Sequence, residues 1–225
     1  MSGYIGAVSA AAVYGLGLIM LFVVRSRRHK IATGSSGING FTKTPGLTAR
    51  LAGICFAAAM VIGLTAPLLA AVQLLPYVTG PAQEPTAQLA VWVAGLLLTW
   101  VGFAAAVVAQ NAMGASWRIG VDQTEETVLV TSGVFARVRN PIFAAMIAAQ
   151  AGTALMAPTW LAIVGLLLLI VACELQVRLV EEPYLARLHG AAYRAYAARA
   201  GRFLPGLGRL PTGTDRAYVG HERLS

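Results

Sequence analysis

Hydrophobic and polar positions along the chain fall in long blocks. Apolar runs cover about Tyr4–Val24, Leu47–Leu75, Gln88–Met113, Ile142–Met156 and Thr159–Val180. An uninterrupted apolar run of ~20 residues is long enough to cross the hydrocarbon core as a helix, so the pattern predicts five transmembrane helices. The fourth run is short and turns into the fifth at Ala157-Pro158, which predicts a tight helical hairpin. Past Pro183, Leu185, Leu188, Ala192 and Tyr196 recur at helical spacing with arginines between them. That periodicity predicts an amphipathic helix in the membrane interface, ended by Gly201 and Pro205. The expected fold is all-α: a polytopic membrane helix bundle of about five transmembrane helices plus a C-terminal interfacial helix. It forms a single integral membrane domain, with a two-helix portion (1–87), a core carrying the pocket (88–210) and a tail (211–225).

Composition agrees with this reading. Of the 225 residues, 57% are hydrophobic and 12% charged, about half the charged share of a soluble domain. A net charge of +8 raises the question of nucleic acid, and the distribution of the 17 Lys and Arg residues answers it. They fall between the first and second runs, between the third and fourth, and at or beyond the end of the fifth. The N-terminus, residues 76–87 and the turn near Pro158 have none. Positive-inside bias accounts for this without a polyanion. The expected orientation has the N-terminus outside and the C-terminus in the cytoplasm, in a bacterial plasma membrane. Membrane lipids are the expected partners, and nucleic acid is not.

Cys55 and Cys173 both lie inside apolar runs and read as small hydrophobes. Asp122, Glu125 and Glu126 match no metal-ligand spacing and read as part of a solvated loop. Gln110 and Asn111 sit at the end of the third run, as interface residues or as groups reaching a ligand. Glu174 and Arg178 are four apart on one helix face, a favourable pair. Charges at that depth are costly and are functional candidates by default.

The stretch from Thr127 to Phe143, TVLVTSGVFARVRNPIF, is unlike the runs on either side. Ser132-Gly133 and Asn140-Pro141 are turn signals, and proline suits the first position of a helix. The stretch predicts a polar loop folding back along the membrane surface and starting a helix at Pro141. The N-terminus of that helix would offer free N–H groups and a positive dipole end to an anion.

This stretch, followed after the hairpin by EEPYLARLHGAAYRAYAARAGRFLP, resembles the isoprenylcysteine carboxyl methyltransferases and their wider relatives, the membrane phospholipid methyltransferases. The shared pattern is a Leu-Val-Thr run, Gly-x-Tyr, Arg-His-Pro-x-Tyr, Glu-Glu-x-x-Leu and Gly-x-x-Tyr-x-x-Tyr ending in Arg-Phe-x-Pro. It covers roughly residues 110–210. The resemblance implies an S-adenosylmethionine-dependent methyltransferase without a Rossmann fold, acting on a small lipophilic or lipid acceptor. It implies cofactor contacts from Thr127, Val128, Leu129, Val130, Phe135, Asn140, Pro141, Ile142 and Phe143, and from Glu181 and Glu182. Arg178 and Glu181 are the expected catalytic residues: Arg178 to orient an anionic acceptor, Glu181 to hold the cofactor ammonium or ribose hydroxyls. Asn140 stands where histidine is usual and does not titrate near neutrality. Phe135 and Phe143 replace tyrosines and keep only ring packing. The reading from another class is a non-catalytic membrane protein that retains the fold and a ligand pocket. A transporter is disfavoured by the absence of repeat symmetry and of a midplane charge network.

Overall fold

The structure, a computed structural model, describes residues 3–34, 46–78, 84–114 and 128–211. Four helices are long and apolar enough to cross a membrane: α1 (Gly3–Thr33), α2 (Leu47–Ala71), α3 (Pro85–Met113) and α5 (Trp160–Ala197). The shorter apolar α4, Pro141–Met156, completes the bundle. At 1.5 Å per residue, α4 is about 24 Å long, short of the ~30 Å hydrocarbon core. The described residues contain no strand, and the protein is an integral membrane helix bundle, as the apolar runs predict.

Three boundaries differ from those read in the sequence. α1 does not stop at Val24 but carries Arg25–Thr33 as further helical turns, because a charged run does not end a helix unless a breaker accompanies it. α2 ends at Ala71, where Gln73 takes a positive φ of 60°. The fifth span and the tail helix are one continuous helix, α5. A wide π turn at Gln176–Glu181 precedes Pro183, a proline that lacks an N–H and crowds the carbonyl four residues back. Widening that turn lets the helix pass the proline. The break comes at Gly190 instead (φ 52°, ψ −123°), backbone angles essentially confined to glycine.

Small residues set the helix spacing. A Cβ on Gly102 would lie 2.6 Å from the backbone nitrogen of Ala149, and one on Gly152 would lie 2.5 Å from the Gly95 carbonyl oxygen. α3 and α4 therefore meet backbone to backbone, where lipid offers no hydrophobic drive and close packing must supply the attraction. Inside the bundle, Tyr14 of α1 donates its hydroxyl to Gln150 of α4 at 2.7 Å. The Gln150 amide in turn donates to the Ala59 carbonyl of α2 at 3.4 Å. This buried polar contact ties the first two helices to the fourth.

The two ends of the bundle differ in charge. At one end Tyr77 donates to the Gly3 carbonyl, and the Val78 amide donates to the Pro158 carbonyl. At the other, Arg25 donates to the Gln110 and Gly114 carbonyls at the C-terminus of α3. Gln110 is buried and donates to the Leu21 carbonyl within a second π turn, Ile19–Val24, while Asn111 is exposed. The described Lys and Arg residues gather at this second end.

Candidate functional site

The site lies at the basic end, where the loop before α4, the middle of α5 and the segment after α5 converge. Residues 128–131 have no regular secondary structure, Ser132 is extended, Gly133–Ala136 form a 3-10 turn, and α4 begins at Pro141. The stretch 137–140 pairs with 201–202. Gly201 donates to the Arg137 carbonyl (3.0 Å), Arg139 to the Gly201 carbonyl (2.8 Å) and Asn140 to the Arg202 carbonyl (3.0 Å). The turn beyond closes with Arg202 donating to the Leu207 carbonyl at 2.7 Å. Gly206 and Gly208 supply the positive φ values it needs.

Glu182 is the hub of this junction. It is 3% exposed and accepts from Arg139 at 2.6 Å and from Arg202 at 2.8 and 2.9 Å. Arg139, also buried, further donates to the carbonyls of Ala197, Ala200 and Gly208. Burial of an isolated charge is prohibitive, and pairing with full hydrogen bonding makes it tolerable. Donating to the Glu182 carboxylate raises the Arg202 guanidinium above its ordinary range against the opposing effect of burial. One residue earlier, Glu181 accepts from Gln176 at 3.3 Å. Residues five apart lie about 140° apart around a regular α-helix, so the π turn is what puts this pair side by side.

Next to this network is a cavity of about 430 Å³, walled by α4, by α5 and by residues 202–208. Ala144, Ile147, Ile170 and Leu204 give it an apolar wall, and Glu174, Arg178 and Arg202 give it a charged one. Glu174 and Arg178 form the i,i+4 ion pair that their spacing predicts. Both are substantially exposed, so the pair adds little to stability.

The expected site residues divide into groups. Arg178 lines the cavity. Glu181 lies on the adjoining turn of α5. Glu182 has its carboxylate committed to two arginines. Leu129 packs against the cluster of Tyr193, Tyr196, Ala197 and Ala200, and the Phe135 carbonyl accepts from the Tyr196 hydroxyl at 2.8 Å. Val128 is exposed and Val130 half-buried. Ile142 and Phe143, in the first turn of α4 after Pro141, pack on the bundle core, where Phe143 meets Phe56 of α2 edge to face. Asn140 is the residue just before α4, but its side chain makes no capping hydrogen bond; the side-chain amide donates to the Arg202 carbonyl at 3.2 Å. The amphipathic face beyond Pro183 is likewise spent on the protein, with Tyr184 packed on Ala49 and Val180. Thr127, and with it Asp122, Glu125 and Glu126, lies outside the described residues.

Sequence reasoning placed Arg139 and Arg202 inside the motifs but gave them no role. The signal available was charge balance: two arginines beside an adjacent pair of acids in an otherwise apolar core. Among the described residues, no group of His, Cys, Asp and Glu has the makings of a metal site.

No curated protein matches the chain at a significant level. A family model, however, covers most of α3, all of α4 and most of α5. Residues 90–192 match the phospholipid methyltransferase family, a family of membrane methyltransferases, and the resemblance carried by the motifs holds at that level.

Proposed function

We propose that the protein is an integral membrane, S-adenosylmethionine-dependent methyltransferase acting on a small lipophilic or lipid acceptor. The observation that carries this reading is the cavity, with one apolar and one charged wall, whose α4 and α5 lining lies in the part of the chain that the family model covers. A volume of this size is within the ~300–1,000 Å³ range of small-molecule sites.

The residues present fit the cofactor. Its amino-acid end bears one positive and one negative charge, and the charged wall offers the Glu174 carboxylate beside the Arg178 and Arg202 guanidiniums. Glu181 adds a second carboxylate for an ammonium or for ribose hydroxyls. When bound, S-adenosylmethionine supplies an activated methyl group. The chain's own work is then to bind, to orient and to exclude water. Arg178 orients the polar group of the acceptor, while Ala144, Ile147 and Ile170 receive its apolar part. A carboxylate acceptor is already ionised and needs no base.

The proposed orientation puts the basic end, and so the cavity mouth, in the cytoplasm where the cofactor is made. The two-helix portion supports the core through the contact between Tyr14 and Gln150. Isothermal titration of the purified full chain with S-adenosylmethionine tests the reading, and saturable one-to-one binding is the expected result. Absence of binding to folded protein would favour the non-catalytic alternative.

A further inference from the structure

The network around Glu182 is unbalanced. Among the described residues, two guanidiniums share the one Glu182 carboxylate, so a positive charge is left over in this network. Donors are in surplus too. The Nε–H of Arg139 is buried and has no acceptor among the described residues. A surplus of buried charge and donors is stabilised by an anion that is not part of the chain.

Geometry decides which arginine can meet such an anion. Arg139 has both terminal nitrogens committed, to Glu182 and to three carbonyls. Arg202 lines the cavity. Its two bonds to Glu182 use Nε and Nη2, leaving Nη1 for a ligand. A guanidinium fixed along one edge in this way presents its other edge at a set angle, as fork-like recognition of a carboxylate or phosphate requires.

We infer that Arg202 receives an anionic group of the ligand in this cavity, and that Glu182 and Arg139 are positioning residues that hold it there. The inference rests on the methyltransferase reading for the source of the anion: the amino-acid carboxylate of the cofactor or the phosphate of a lipid acceptor. It also gives the segment beyond residue 192, past the end of the family match, a part in the site. Arg178 is less suited to the role because Glu174 already neutralises it at the exposed mouth.

The test measures binding to the full chain in detergent micelles with two pairs of probes. One pair is S-adenosylmethionine and its decarboxylated analogue, which keeps the ammonium. The other is phosphatidic acid and diacylglycerol. The parent should prefer the anionic member of one pair, and that pair names the source. Arg202→Gln should lose about tenfold or more on the anionic member and little on its counterpart. Arg202→Lys, which keeps the charge but not the fork, should fall between. Glu182→Gln should reproduce the selective loss and add nothing further in the Arg202→Gln background. Should Glu182→Gln fail to fold, the two Arg202 variants, which keep the pair of Arg139 with Glu182, still decide. Equal losses on both members of a pair, no loss in Arg202→Gln, or a parent that prefers neither anion would overturn the inference. A parent that binds no S-adenosylmethionine yet prefers phosphatidic acid through Arg202 would remove the methyltransferase reading and leave the inference standing.

Discussion

Replacing Gly201 by alanine should open the site without unfolding the bundle. Gly201 is buried, and a Cβ there would overlap the Leu204 carbonyl oxygen and sit 2.9 Å from both the Gly206 nitrogen and the Leu207 oxygen. All three are backbone atoms of the turn that walls the cavity, so no side chain can rotate away. The turn must move, and with it go the Arg202 to Leu207 bond and some of the three bonds joining 137–140 to 201–202. At about 1 kcal/mol for each net backbone hydrogen bond, the local cost is about 2–4 kcal/mol. The α3–α4 packing and the contact of Tyr14 with Gln150 are remote and should be untouched. Hydrogen exchange resolved by peptide should show protection lost over 198–210 and at Arg139 and Asn140, with cofactor affinity falling and the melting temperature little changed. Gly133→Ala is the control. Its φ of 60° makes alanine strained, but nothing lies within 4 Å of the added methyl, so 198–210 should stay protected. Full protection and unaltered affinity in Gly201→Ala would refute the claim that this turn forms a wall of the site.

Tyr14→Phe leaves the Gln150 oxygen without its donor inside the bundle and should destabilise by about 0.6–2 kcal/mol, the range for such contacts in membranes. Denaturation in mixed micelles measures it, and the loss should shrink when Gln150→Leu is already present. Asn140→Asp removes the amide that donates to the Arg202 carbonyl and sets a carboxylate oxygen against it, so it should weaken cofactor binding more than Asn140→His, which can still donate; titration of both variants decides. Glu181→Gln should lower S-adenosylmethionine affinity, since hydrogen bonds to charged groups are worth ~1.5–3 kcal/mol. Glu84→Gln, just ahead of α3 at the opposite end of the bundle, should not, and equal affinities would reduce Glu181 to a surface charge.

The spans and the helix start at Pro141 are legible in the sequence because each rests on local rules, namely apolar length and turn chemistry. Where two local rules compete, the sequence misleads. The run ending at Val180 and the periodic face past Pro183 read as two helices, yet the π turn before Pro183 absorbs the proline, while Gly190, unremarkable in the pattern, carries the break. The site is less legible because its contacts are distant in the chain. Asn140 reads as a ligand group, and its partner is the Arg202 carbonyl, 62 residues on. Glu181 and Glu182 are indistinguishable by type and by neighbours. The widened turn alone gives one to Gln176 and buries the other between two arginines. Likewise the first two spans carry no motif, and their tie to the core through Gln150 needs the packed bundle to be seen.

The central claim is methyl transfer at the cavity between α4 and α5, and incubation with S-adenosylmethionine labelled in its methyl group tests it most directly. The purified full chain is given total lipid extract, and label is counted in the organic phase. Label should enter a lipophilic product with the parent protein, and Arg202→Gln should cut the rate at least tenfold, in line with loss of one charge-assisted contact. A folded parent that binds the cofactor but labels nothing in any extract, or an Arg202→Gln rate equal to that of the parent, would contradict the account.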